Sequence, residues 1–182
     1  MAERIYFDNA ATTSLDPKVL EAMMPFLTEK FGNPSSIYSY GRETRLAIEM
    51  ARKSVAKIIN VHPAEIFFTS GGTESSNTAI FSAVRDLGCT HIITSPIEHH
   101  ATLHTVEYLK NRGEASLSYV QLLPNGHVDM EDLEHLLAAA EDKTLVTLMH
   151  ANNEIGNITD IKAVGELCKL YNAIFHSDTV QT

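Results

Sequence analysis

Apolar residues first recur at helical spacing behind Asp16-Pro17, an N-cap followed by proline at the first helical position. Leu20, Met23, Met24 and Leu27 then share one face, which predicts a helix from roughly Pro17 to Lys30. Gly32-Asn33-Pro34-Ser35-Ser36 breaks it, and a second helix is expected from about Arg42 to Ile59, with Leu46, Met50, Val55, Ile58 and Ile59 facing inward. From Glu65 onward the period switches back and forth. Strands are expected at 65–70, 91–95, 116–123, 144–150 and 173–177, alternating with helices at 73–87 and 100–112 and with two more capped by Asp129 and Asp160. Strands separated by helices of this length imply right-handed crossovers, so the fold class is α/β: a mostly parallel sheet flanked by helices. Residues 1–62 read as a helical amino-terminal arm and 63–182 as the sheet-bearing part. No internal repeat, low-complexity tract or linker interrupts either.

If the strands are parallel, their carboxyl ends open on one crevice, where open α/β sheets bind ligands. Gly71-Gly72-Thr73 follows the first strand and starts a helix, so free backbone N–H groups and the positive end of the helix dipole suit a phosphate. The spacing fits neither a dinucleotide fingerprint nor a Walker loop, and a tight turn needing two glycines is an equal alternative. His99 follows the second strand and, read alone, is a helix-start or core residue. Asn152-Asn153 follows the fourth, as amide donors or as a turn. Asp178 follows the fifth, three residues before Gln181, as a helix cap or as the partner of a protonated ring nitrogen. His100 and His104 share a helix face as zinc ligands can, yet Ala101 stands where a zinc hydrolase needs its glutamate, and no metal is expected. A phosphate cradle, a ring to stack on, a carboxylate for a heteroaromatic nitrogen and amides for ring substituents together match the needs of pyridoxal 5'-phosphate.

No strand end supplies a lysine. Lys143 precedes its strand, while Lys53, Lys57, Lys110, Lys162 and Lys169 read as solvated helix positions. With 182 residues, 44% of them hydrophobic, the chain can bury a sizeable core. The formal charge of -9 argues against a nucleic-acid partner, so an anion has to be held by local geometry. The first residues lack an apolar signal region and no apolar run reaches membrane-spanning length, so a cytoplasmic location without a membrane anchor is expected. Cys89 and Cys168 read as small buried residues in a reducing compartment.

The chain also resembles, along its whole length, the amino-terminal part of a cysteine desulfurase of the NifS/IscS type within the class V aminotransferase-like enzymes. The resemblance rests on Tyr6-Phe7-Asp8-Asn9-Ala10-Ala11-Thr12-Thr13, Phe31-Gly32-Asn33-Pro34-Ser35-Ser36 with Gly41-Arg42, and Phe68-Thr69-Ser70-Gly71-Gly72-Thr73-Glu74-Ser75. Glu98-His99, His150-Ala151-Asn152-Asn153-Glu154-Ile155-Gly156, and Asp178 with Gln181 complete it in the family's order. Tyr38, Ser76 and Thr179 depart from common family residues and leave the branch open. The resemblance implies part of the large domain of a fold type I pyridoxal-phosphate enzyme. By it, Gly72 and Thr73 bind the cofactor phosphate, and His99 stacks on the ring and carries protons as the catalytic residue. Asp178 pairs with the ring nitrogen, and Asn153 and Gln181 serve the ring substituents, Gln181 at the phenolic oxygen. It implies L-cysteine as substrate, a sulfur-acceptor protein of iron–sulfur assembly as partner and a homodimer at full length. The cofactor lysine and the nucleophilic cysteine are expected beyond Thr182, so this stretch alone should be inactive; a parallel sheet cut before its last strands leaves an open edge, so it should self-associate, swap elements or need its missing half. The alternatives are a selenocysteine lyase, an aminotransferase, or a non-catalytic scaffold.

Overall fold

In the computed structural model, which describes residues 4–182, the backbone divides into two units, one ending at Phe68 and the other running from Thr69 to Thr182. The first unit holds helices α1 (Pro17–Thr28) and α2 (Ser39–Ile58). Asp16 caps α1, its carboxylate accepting from Lys18 N at 2.7 Å, and Pro17 occupies the first helical position. The second helix starts at Ser39, earlier than the expected Arg42, because the preceding loop packs on it. At Gly41 a Cβ would lie 2.5 Å from the carbonyl oxygens of Asn33 and Ser36, so only glycine fits there.

Two expectations fail in this unit. The stripe assigned to the inside of α2 is exposed: Leu46 and Met50 are 61% and Ile58 82% exposed, and the buried residues of this helix are Gly41 and Ala56. The apolar periodicity is present, but nothing among the described residues covers it. Nor is there a strand at 65–70. His62 caps a single 3-10 turn, Pro63–Glu65, and the following residues run extended without a ladder partner among the described residues, leaving Phe67 80% exposed. What orders this segment is Arg52, which donates to Ile66 O and lies with its guanidinium 4.9 Å from the Phe68 ring centre.

The second unit has the expected α/β architecture. Strands β1 (His91–Thr94), β2 (Ser116–Tyr119), β3 (Thr144–Thr147) and β4 (Ile174–His176) form one parallel sheet in the order β2-β1-β3-β4. Helices α3 (Gly72–Arg85) and α4 (His100–Asn111) connect into it from one side, and α5 (Met130–Ala139) and α6 (Ile161–Leu170) from the other. Asp129 and Asp160 cap α5 and α6 as the sequence indicates. Neighbouring strand residues point to opposite faces, and the core divides accordingly. Ile92 and Leu145 pack with Ile80, Val84, Val106 and Leu109 of α3 and α4, while Ile93 and Val146 pack with Leu133, Leu137, Val164 and Cys168 of α5 and α6. The register pairs Thr94 with Thr147 and Thr147 with His176, so three strands end level.

Ile93 is fully buried at the centre of the second cluster. Ile93→Ala is expected to cost about 2–5 kcal/mol, read as a lower urea midpoint; a loss below about 1 kcal/mol would show that this layer is not close-packed.

Candidate functional site

Beyond their level ends, β3 and β4 stay joined: Leu148 N donates to His176 O at 3.2 Å and His150 N to Asp178 O at 2.9 Å. Between them, Met149 N turns the other way and donates to Glu98 Oε1 at 3.0 Å, which also accepts from Ser95 Oγ at 2.8 Å. The loop after β1 is thereby hooked to the extension of β3. Asn152 fastens it further, donating to Ile97 O at 2.7 Å while its Oδ1 accepts from Glu154 N and Ile155 N. Asn152 is thus a buried structural clamp, whereas the half-buried Asn153 donates to the neighbouring Glu154 carboxylate at 3.2 Å.

A cavity of about 360 Å³ opens between the start of α3 and the residues after β4, with Gly72, Ser76, His176, Ser177, Asp178 and Val180 in its lining. That is within the roughly 300–1,000 Å³ of small-molecule pockets. The first turn of α3 has no side-chain cap, so the N–H groups of Gly72, Thr73 and Glu74 remain as donors with the helix dipole behind them. Glu74 turns back to Ser70, accepting from its N at 2.7 Å and its Oγ at 2.6 Å, and these bonds hold its carboxyl below the usual range. A Cβ on Gly72 would come within 2.5 Å of Val180 Cγ2, so a larger residue there has to displace the Val180 side chain at the cavity wall. The Ser177 hydroxyl is buried with no hydrogen-bond partner among the described residues.

Gly72 and Asp178 therefore share one cavity. Thr73, His99, Asn153 and Gln181 are not in its lining; His99 and Asn153 stand on the loops after β1 and β3, at the same sheet edge. His99 caps α4, its Nδ1 accepting from Ala101 N at 3.2 Å. An accepting Nδ1 carries no proton, so the neutral ring has its proton on Nε2. Its ring centre lies 4.0 Å from that of His100, which is 5.8 Å from that of His104, and among the described residues no group of three or more metal-binding side chains forms. Asp178 Oδ1 accepts from Val180 N at 3.0 Å, tying down the turn after β4.

One ionisable residue of this edge carried no role in the sequence reading. Glu98 is only 6% exposed, and burial pushes its carboxyl up to about 7, against the downward pull of Met149 N and Ser95 Oγ and with a smaller upward push from Asp178. Next to Asp178, burial pushes the His176 ring down, and its Nδ1 lies 2.8 Å from Thr147 Oγ1. The signal for Glu98 was a carboxylate in the short loop between a strand and a helix, four residues after β1 and next to His99; its partner Met149 N is 51 residues away.

The aminotransferase class-V family model matches residues 5–182. The chain belongs to this family. It is 49% identical over its full length to the cysteine desulfurase IscS of Dictyoglomus turgidum, covering 46% of that protein, and 47% identical over 97% of its length to the cysteine desulfurase IscS of Methanosarcina thermophila, covering 44% of it. Among solved structures, a NifS-like protein superposes with a TM-score of 0.92 at 44% identity over 99% of this chain and 50% of the other. SspA in complex with cysteine gives a TM-score of 0.88 at 32% identity over 97% of this chain and 51% of the other. The class-V chain thus spans about half the length of the relatives it matches. Pyridoxal phosphate, the cofactor of its desulfurase relatives, fits the residues present. The uncapped start of α3 offers donors to a phosphate, and a carboxylate and an unpartnered hydroxyl line the same cavity.

His99→Ala is expected to cost about 1 kcal/mol in urea unfolding through loss of the α4 cap, with most of it restored by His99→Asn. Equal losses in both variants would show that the ring packs rather than caps.

Proposed function

We propose that this chain is the cofactor-binding portion of a cysteine desulfurase that converts L-cysteine to L-alanine and passes the sulfur to an enzyme persulfide. The observation that carries the reading is the cavity shared by Gly72, at the uncapped start of α3, and Asp178, after β4, in a chain whose full-length matches are desulfurases. Backbone N–H groups at Gly72 and Thr73 hold the phosphate. The Asp178 carboxylate, anchored at Oδ1 by Val180 N, would hold a proton on the ring nitrogen. His99, on the loop after β1, would stack on the ring and would carry protons through Nε2, because Nδ1 is engaged in the cap. Asn153 and Gln181 attend the ring substituents. When bound, pyridoxal phosphate supplies the electron sink that lets the amino acid lose its α-proton.

The residues for covalent chemistry belong outside this stretch. Lys143 directly precedes β3 and donates to Leu87 O at 2.7 Å, at the end of the sheet opposite the crevice. Cys168 is buried and its thiol is pushed up to about 11 by burial, and Cys89 is buried and raised for the same reason, so neither suits a nucleophile. The partner is a sulfur acceptor of the iron–sulfur assembly type. No described helix is long and apolar enough to cross a membrane, and two buried free thiols suit the cytoplasm, although one relative is a mitosomal cysteine desulfurase of Trachipleistophora hominis. The exposed apolar residues of α1 and α2 suit a homodimer at full length.

The test is the full-length protein loaded with pyridoxal phosphate and given L-cysteine. Alanine and sulfide should form in equal amounts under reductant, and Asp178→Asn should lower kcat by about a hundredfold with little change in folding. Turnover of selenocysteine alone, or amino transfer without sulfide, would assign another class-V activity. The 182-residue polypeptide by itself should yield no alanine.

A further inference from the structure

We propose that Glu98 is a positioning residue for the crevice, a buried proton store whose charge state sets how strongly Asp178 holds a proton on the group it faces. This deepens the proposed function and rests on it. Glu98 and Asp178 grip successive peptide groups of one strand extension, Glu98 accepting from Met149 N at 3.0 Å and the Asp178 carbonyl from His150 N at 2.9 Å. They are held in place by the backbone. Oε1 of Glu98 has both of its donors, Met149 N and Ser95 Oγ, while Oε2 is buried with no hydrogen-bond partner among the described residues. A bare anionic oxygen in that position is costly, whereas a protonated Oε2 leaves only a neutral hydroxyl unpaired.

Among the described residues no cation is found to act on Glu98. His99, the cap of α4, and His100, its first residue, follow Glu98 in sequence, His150 comes from the extension of β3 with Nδ1 2.9 Å from Thr182 Oγ1, and His176 and Asp178 come from β4 and the turn after it. Asp178 is the charge that acts on Glu98. At lower pH Glu98 keeps its proton and Asp178 is the only carboxylate; as pH rises, Glu98 releases a proton to solvent and a second negative charge stands behind Asp178. A protonated ring nitrogen beside Asp178 then becomes harder to deprotonate, so the ring's charge is buffered against rising pH.

The experiment uses the full-length protein with isotope-labelled glutamate. Infrared spectra of the cofactor-free form should contain a protonated-carboxyl band that is lost with a midpoint near pH 7, and Glu98→Gln, which retains an acceptor for Met149 N and Ser95 Oγ, should lack it. In the protein loaded with pyridoxal phosphate, the visible absorption of the bound cofactor should show an inflection at the same pH that Glu98→Gln removes, together with the matching limb of the kcat profile, while KM for L-cysteine stays within about twofold. A wild-type protein with no such band, or a folded Glu98→Gln protein that keeps the inflection, overturns the proposal. If Glu98→Gln does not fold, the labelled wild-type band alone decides. Failure to bind pyridoxal phosphate would instead overturn the proposed function, since the infrared titration of the cofactor-free protein reads Glu98 independently.

Discussion

The level ending of β1, β3 and β4 is the constraint from which the site follows. Parallel pairing of Thr94 with Thr147 and of Thr147 with His176 fixes where each strand releases its chain. A shift of one residue would turn Ile93 and Val146 away from α5 and α6 and Ile92 and Leu145 away from α3 and α4, so burial on both faces holds the register. Because the ends are level, the next residues remain within hydrogen-bonding reach, and Met149 and His150 can bind leftward to Glu98 and rightward to Asp178. The chemistry-bearing loops are therefore extensions of a rigid sheet rather than independent segments.

That edge holds more buried polarity than the rest of the core. Thr94, Ser95, Glu98, Thr147 and Asn152 are all buried there. Most have their partners: Thr94 Oγ1 donates to Thr147 O at 3.0 Å, and Asn152 satisfies both ends of its amide. Glu98 does not. Its folded pKa of about 7 stands above the ordinary 4.5, so relative to the unfolded chain its contribution is fully favourable below pH 4.5 and is lost as pH rises through 7. The loss amounts to about 3 kcal/mol, a large part of a domain's net stability. A core that served stability alone would place an apolar residue in this position.

Local signals were legible in the sequence, and signals that need a distant partner were not. Asp16, Asp129 and Asp160 each cap the helix expected of them, because a cap is a contact within three residues. Asp178 follows β4 into the cavity, as strand-end logic expects of a parallel sheet, whereas Gly72 reaches it at the start of α3 without the strand expected before it. By contrast, Phe67-Phe68 has strand composition without a ladder partner among the described residues, and β propensity without pairing makes no strand. Leu46 and Met50 show the same gap for helices, since periodicity names an apolar face but not what covers it. Glu98 and Asn152 gain their roles from Met149 and Ile97, contacts that only the folded sheet creates.

The ordinary and the chemical readings of the site residues turn out to use different atoms of the same side chain. His99 is a helix cap through Nδ1, and that bond fixes the ring and puts its proton on Nε2. Asp178 ties a turn through Oδ1, and its carboxylate lines the cavity. Gly72 begins a helix, and its missing side chain lets Val180 sit against it in the cavity wall. Structural anchoring is thus how each group is held before any ligand arrives. A side chain already immobilised by its own backbone loses little further freedom when a ring or a phosphate settles against it, so binding is not opposed by the entropy of ordering the site.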